Sequence, residues 1–79
     1  MAETEITKTI NEIIEMVSHL IQLPETKMWI DYDKECDTLY ISFKRPQKAT
    51  DTEMIDNGIL LRYRDDQLVG VTVLDASKR

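Results

Sequence analysis

Seventy-nine residues leave room for one domain, and a domain of this size buries only about 60% of the surface its unfolded chain exposes, so its core must be thin. The one cysteine, Cys36, excludes an intrachain disulfide, and with the one histidine, His19, it cannot complete a four-ligand zinc site of nitrogen and sulfur. A formal net charge of −5 repels phosphate backbones, which argues against direct nucleic-acid binding and leaves solubility as the role of the charge.

The opening segment, Met1 to Lys8, carries Glu3 and Glu5 and lacks the basic start and apolar centre of a secretory leader. No run approaches 18 apolar residues. The expectation is a single soluble cytoplasmic domain, residues 1–79, with no membrane contact and no cofactor.

Ile6, Ile10, Ile13, Ile14, Val17, Leu20 and Ile21 fall on one stripe of helical period, with Lys8, Asn11, Glu12, Glu15, Ser18 and Gln22 opposite. Thr4 is placed to cap the start, and Pro24, which has no amide proton, ends the pattern. A helix over about 5–22 follows. Its stripe is rich in β-branched residues, which have only middling helix propensity, so packing must hold it.

Beyond Pro24 the period changes to two. Residues 27–32 alternate Met28, Ile30 and Tyr32 against Trp29 and Asp31, and 38–43 alternate Leu39, Ile41 and Phe43 against Thr38, Tyr40 and Ser42. Asp33 to Asp37 forms a charged link of hairpin length, and 44–50 is a longer polar loop with Pro46. Glu53 to Asp56 reads as a short, weak strand, Asn57-Gly58 as a turn, and 59–63 as the next strand. After a turn at 64–67 the last strand spans 68–74, where Gly70 marks a bulge or a close backbone approach. These connections suit antiparallel neighbours. The fold class is α+β: an N-terminal amphipathic helix packed on a small antiparallel β-meander of four to five strands over about 27–74, with a tail at 75–79.

Asp31, Asp33, Glu35 and Asp37 lie two apart and invite comparison with a calcium loop. Counted from Asp31, position six is Cys36 rather than glycine and position twelve is Ser42 rather than a bidentate glutamate, so no metal site is expected. Asp33 and Asp37 could divide acid and base roles only in a pocket that separates their pKa values, and no nucleophile motif or phosphate loop accompanies them. No catalytic residue is therefore assigned. His19 reads as a boundary residue beside the stripe. The thiolate of Cys36 is disfavoured by Glu35 and Asp37. In the tail, Asp75 is expected to hold backbone amides as a turn or cap residue, with partner binding by Lys78 and Arg79 as the alternative.

Tyr32-Asp33-Lys34-Glu35-Cys36-Asp37-Thr38-Leu39-Tyr40-Ile41, then Asp56-Asn57-Gly58-Ile59, then Gly70 with Leu74-Asp75-Ala76-Ser77-Lys78-Arg79, form a recognisable series. From Trp29 onward it resembles a widespread family of very short prokaryotic proteins known only as a domain of unknown function. The motif positions are Tyr32, Asp33, Asp37, Leu39, Tyr40, Asp56, Gly58, Gly70, Leu74, Asp75, Ala76 and Ser77. Cys36 stands where the family commonly has a small residue, and the helix precedes the shared region. The resemblance implies a small β-meander-like domain without established activity. It also suggests an antitoxin-like role, because some members are encoded beside putative toxins.

The reading that results is a non-enzymatic protein-interaction module, with an antitoxin-like component of a two-protein system as its specific form. The alternative is a small enzyme or ligand-binding domain with a carboxylate site around Asp33 and Asp37. Ile59-Leu60-Leu61 and Val71-Thr72-Val73-Leu74 carry apolar residues on both parities, so two sheet faces need cover and one helix can supply only one. A homodimer is expected, its interface on the face of Trp29, Tyr40 and Leu60, with a toxin-like protein as the other candidate partner.

Overall fold

The computed structural model describes residues 2–55 and 57–79, so the motif position Asp56 lies outside the described residues. Helix α1 spans Ala2–Leu20. Thr4 lies inside it and does not cap it, and Thr9 instead donates its hydroxyl to the Glu5 carbonyl one turn back (2.9 Å). At the other end the Ile21 amide still bonds the Val17 carbonyl. The Gln22 and Leu23 amides then bond three residues back, to His19 and Leu20, tightening the chain before Pro24. No helix among the described residues is long and apolar enough to cross a membrane.

Five strands follow: β1 Trp29–Asp33, β2 Thr38–Ser42, β3 Asp51–Ile55, β4 Ile59–Arg64 and β5 Gln67–Val73, with a 3₁₀ turn at Ala76–Lys78. All pairings are antiparallel, and the order across the sheet is β1-β2-β5-β4-β3. The α+β class stands, but the sheet is not a simple meander. The loop from Phe43 to Thr50 carries the chain to the far edge, from which β3, β4 and β5 return until β5 lies beside β2. Strand β3 also starts two residues before its expected position, because the Thr50 amide already bonds the Tyr63 carbonyl (2.7 Å) and sets Asp51 opposite Tyr63.

The core is as thin as the length requires. Among the described residues, Phe43 and Val69 are the buried apolar side chains, with Thr38 and Thr72 as the buried polar ones. Phe43 donates its amide to the Val69 carbonyl (2.9 Å), beside the bulge where the β4–β5 register shifts at Arg62/Tyr63.

The expected packing of helix on sheet is not found. Among the described residues, helix α1 forms no extended interface with any strand, and Ile6, Ile10, Ile13, Ile14 and Val17 are between 45% and 61% exposed. At its C-terminal end Leu20 lines a shared cleft with Leu23 and Met28. Periodicity reveals that a stripe is apolar, but not which surface will meet it.

Candidate functional site

Side chains alternate across a strand, so the register sorts the sheet into two faces. One face carries the row Ile30, Ile41, Val71, Leu61 and Glu53, and beside it the row Tyr32, Leu39, Val73, Ile59 and Ile55. Nine of these ten positions are apolar or aromatic, with the charge of Glu53 confined to the β3 edge. None of the ten is buried, and Ile30, Tyr32 and Ile55 are at least 40% exposed. Aliphatic and aromatic residues dominate because they suit a pleated surface with cross-strand neighbours. Nothing of the chain's own helix lies over them.

The opposite face is mixed. Its rows are Asp31, Tyr40, Thr72, Leu60 and Met54, and Trp29, Ser42, Gly70, Arg62 and Thr52. Here the 43–50 loop crosses the sheet. Gln47 donates its side-chain amide to the Ser42 hydroxyl (2.6 Å) and accepts from Arg62 Nε at its carbonyl oxygen (2.8 Å). Gln47 lies flat over Gly70, where a Cβ would come within 2.8 Å of its Cδ. The strand glycine thus leaves room for the side chain that crosses above it. Arg62 also donates to the Thr52 hydroxyl (3.4 Å), extending the polar row to the β3 edge.

A second polar cluster sits at the other end of the sheet and gathers much of the sequence motif. Asp33 accepts the Glu35 and Cys36 amides at Oδ1 (3.0 and 3.2 Å), which folds the charged link into an Asx turn. Asp37, in the left-handed region at φ 50°, then faces the tail. Its Oδ1 accepts the Tyr32 hydroxyl (2.6 Å) and the Ser77 amide (3.0 Å), and its Oδ2 accepts the Ser77 hydroxyl (2.8 Å). The Asp37 carbonyl accepts the Ala76 amide (2.9 Å). The Tyr32 bond, the two Ser77 bonds and nearby Lys78 hold the Asp37 carboxyl below the usual aspartate range. The same bond to Asp37, with some desolvation and the charges of Asp37 and Asp33, raises the Tyr32 hydroxyl above its ordinary value. Both groups are thereby committed to the forms that hold the tail, an anion and a neutral phenol.

Arg79 completes the docking. It donates to the carbonyls of Leu74 (3.1 Å through Nε) and Asn57, fastening the tail to the β3–β4 turn, while Gly58 at φ 70° accepts the Leu74 amide (3.0 Å). Asp75, expected to hold amides with its carboxylate, makes no such bond. It turns the chain in the left-handed region at φ 52°, and Asp37 does the holding from forty residues away.

Tyr32, Asp33, Asp37, Ala76 and Ser77 therefore form one structural cluster, with Gly58 and Leu74 in the adjoining turn contact. Leu39 lies in the apolar array, and Gly70 lies under Gln47. Trp29, Tyr40 and Leu60 share one face: Tyr40 and Leu60 flank buried Thr72, and half-buried Trp29 lines a cleft with Glu25, Phe43 and Lys44. Gln47 was not foreseen, and the only sequence signal for it was the strand glycine it covers. Among the described residues, no three His, Cys, Asp or Glu side chains come together as metal ligands.

The model of a family described as a protein of unknown function, DUF2283, matches residues 29–77, which hold the whole sheet and the tail as far as Ser77. No curated protein and no solved structure matches.

Proposed function

The chain belongs to the DUF2283 family, and from that premise we propose that it is a non-enzymatic protein-interaction module whose working surfaces are the apolar sheet face and the stripe of α1. The observation that carries this reading is the ten-position array on one face, nine of them apolar or aromatic, with nothing of the chain's own helix above it. Contiguous apolar surface of this kind marks interaction sites. The carboxylates that invited a catalytic reading serve as hydrogen-bond acceptors, Asp33 within its turn and Asp37 to the tail, which favours the interaction reading over the alternative around Asp33 and Asp37. An antitoxin-like component bound to a toxin-like protein is the two-protein form of this proposal.

The test is the mass of the native particle. The chain is recovered from the cells that make it under gentle lysis and measured by light scattering behind size exclusion. A particle heavier than one 9.2 kDa chain supports the module, whereas a one-chain mass at native concentration sinks it.

A further inference from the structure

The surface area of the single chain shows how much is left to cover. A folded monomer of this mass exposes about 4,900 Å² by the usual scaling, whereas this chain exposes 6497 Å². The excess is about 1,600 Å². The radius of gyration agrees, at 14.5 Å where a compact chain of this length has about 12 Å. Both departures trace to one feature, a helix that projects from the sheet with its stripe uncovered.

The chain thus carries two unpartnered apolar surfaces, and they match. From Ile6 to Leu20 the stripe runs about 21 Å at the helical rise, and five strands span about 19 Å. Ile6, Ile10, Ile13, Val17 and Leu20 follow the alternating three-and-four spacing of a coiled-coil seam, but Ile14 and Met16 widen it on both sides and are 61% and 44% exposed. A stripe of that width exceeds a two-helix seam and suits a broad flat surface. Between α1 and β1 the chain passes through the tightened turns at Gln22 and Leu23 and then Pro24.

We infer that two copies of this chain exchange helices, so that α1 of each lies across the sheet face of the other formed by Ile30, Ile41, Val71, Leu61, Val73 and Ile59. The arrangement is isologous and closes on itself, because each copy gives one helix and receives one. If each copy covered its excess, the pair would bury about 3,000 Å², within the range of obligate homodimers. This rests on the reading of these surfaces as interaction surfaces and names their occupant.

The experiment uses the purified 79-residue chain alone at about 50 μM, by light scattering behind size exclusion. The wild type is expected at twice the 9.2 kDa chain mass. Ile13→Glu spoils the helix stripe, and Ile30→Lys with Ile55→Lys spoils the sheet face; all three positions are at least 40% exposed in the single chain. Each variant alone is expected at one-chain mass. Their equimolar mixture should return to two chains, because one intact helix then meets one intact sheet. A sheet variant that still dimerises points to helix–helix pairing, a helix variant that still dimerises points to sheet–sheet pairing, and either overturns the exchange.

A second measurement serves if a variant fails to fold. Ile13→Cys and Val71→Cys are introduced with Cys36→Ser, and the oxidised protein is run on a non-reducing gel. A two-chain band that reverts on reduction and is absent from the Ile13→Cys and Val71→Cys single variants supports exchange, and such a band from either single variant overturns it. A one-chain product, whether internally linked or unlinked, overturns it. A wild type of one-chain mass also overturns it, and if the native particle is still heavier, the interaction reading survives with a different protein as occupant.

Discussion

Gly70→Ala offers a quantitative check on the crossing of Gln47 over the sheet. The new methyl would come within 2.8 Å of Gln47 Cδ, so the end of the Gln47 side chain must shift, at most losing its bonds to Ser42 and Arg62. Each such bond contributes about 1 kcal/mol net, and the Arg62 bond, with a charged donor, reaches about 1.5 kcal/mol. Against this loss, alanine in a strand gains about 0.5 kcal/mol over glycine by restricting the unfolded chain. The net cost is at most about 2 kcal/mol, a large share of the roughly 4–12 kcal/mol expected for a chain of this length. At fixed protein concentration the melting temperature should fall by up to about 8–16 °C. The decisive control is the same substitution in a Gln47→Ala background. There the methyl meets no crossing side chain, and Gly70→Ala should be neutral or stabilising. Equal costs in the two backgrounds would show that Gln47 is not what the glycine accommodates.

Asp37 has a depressed folded-state pKa, so its stabilising effect is present above the unfolded pKa and is lost as pH falls through the folded one. Wild type should therefore lose urea resistance below the ordinary aspartate range, and Asp37→Asn should be weaker at neutral pH with a flatter acid limb; parallel acid limbs would contradict this. Tyr32, with a raised pKa, contributes below its unfolded value and loses that contribution as alkaline pH passes its folded one, so Tyr32→Phe should flatten the alkaline limb of the same titration. Gly58→Ala forces a side chain into φ 70° and towards Arg79, and a loss of about 1–2 kcal/mol in urea unfolding is expected. Ile13→Asp should change the melting temperature by little at submicromolar concentration, since Ile13 is exposed in the single chain, and by much more at tens of micromolar; an equally large fall at both would show that the stripe is buried within one copy.

Much of the secondary structure was legible because each element has a local cause. The period of 3.6 marked the helix, the period of two marked the strands, and Asn57-Gly58 marked the turn between β3 and β4. What escaped was set by contacts between distant segments. The Thr50–Tyr63 bond places the start of β3, and no short-range pattern contains it. The placing of β5 beside β2 comes from the pairing of Leu39 with Val73 and Ile41 with Val71, side chains that could equally have faced other partners. Helix periodicity implied cover for Ile6 to Leu20, and the inference that the chain's own sheet supplies it went beyond what a period can show. The tail reading found a turn at Asp75 but gave the carboxylate role to the wrong aspartate, because Asp37 and Ser77 meet only once the sheet is built.

The strand order has a consequence for how the chain can be made. Strand β5 stands between the two hairpins, β1–β2 and β3–β4, and it is the last of the five to be synthesised. A nascent chain that has reached only Arg64 holds two ribbons with nothing to join them, and an isolated two-stranded ribbon is marginal in water. The sheet therefore cannot assemble stepwise behind the ribosome. The five-stranded sheet is complete only after Gln67–Val73 has been made and has paired on both sides.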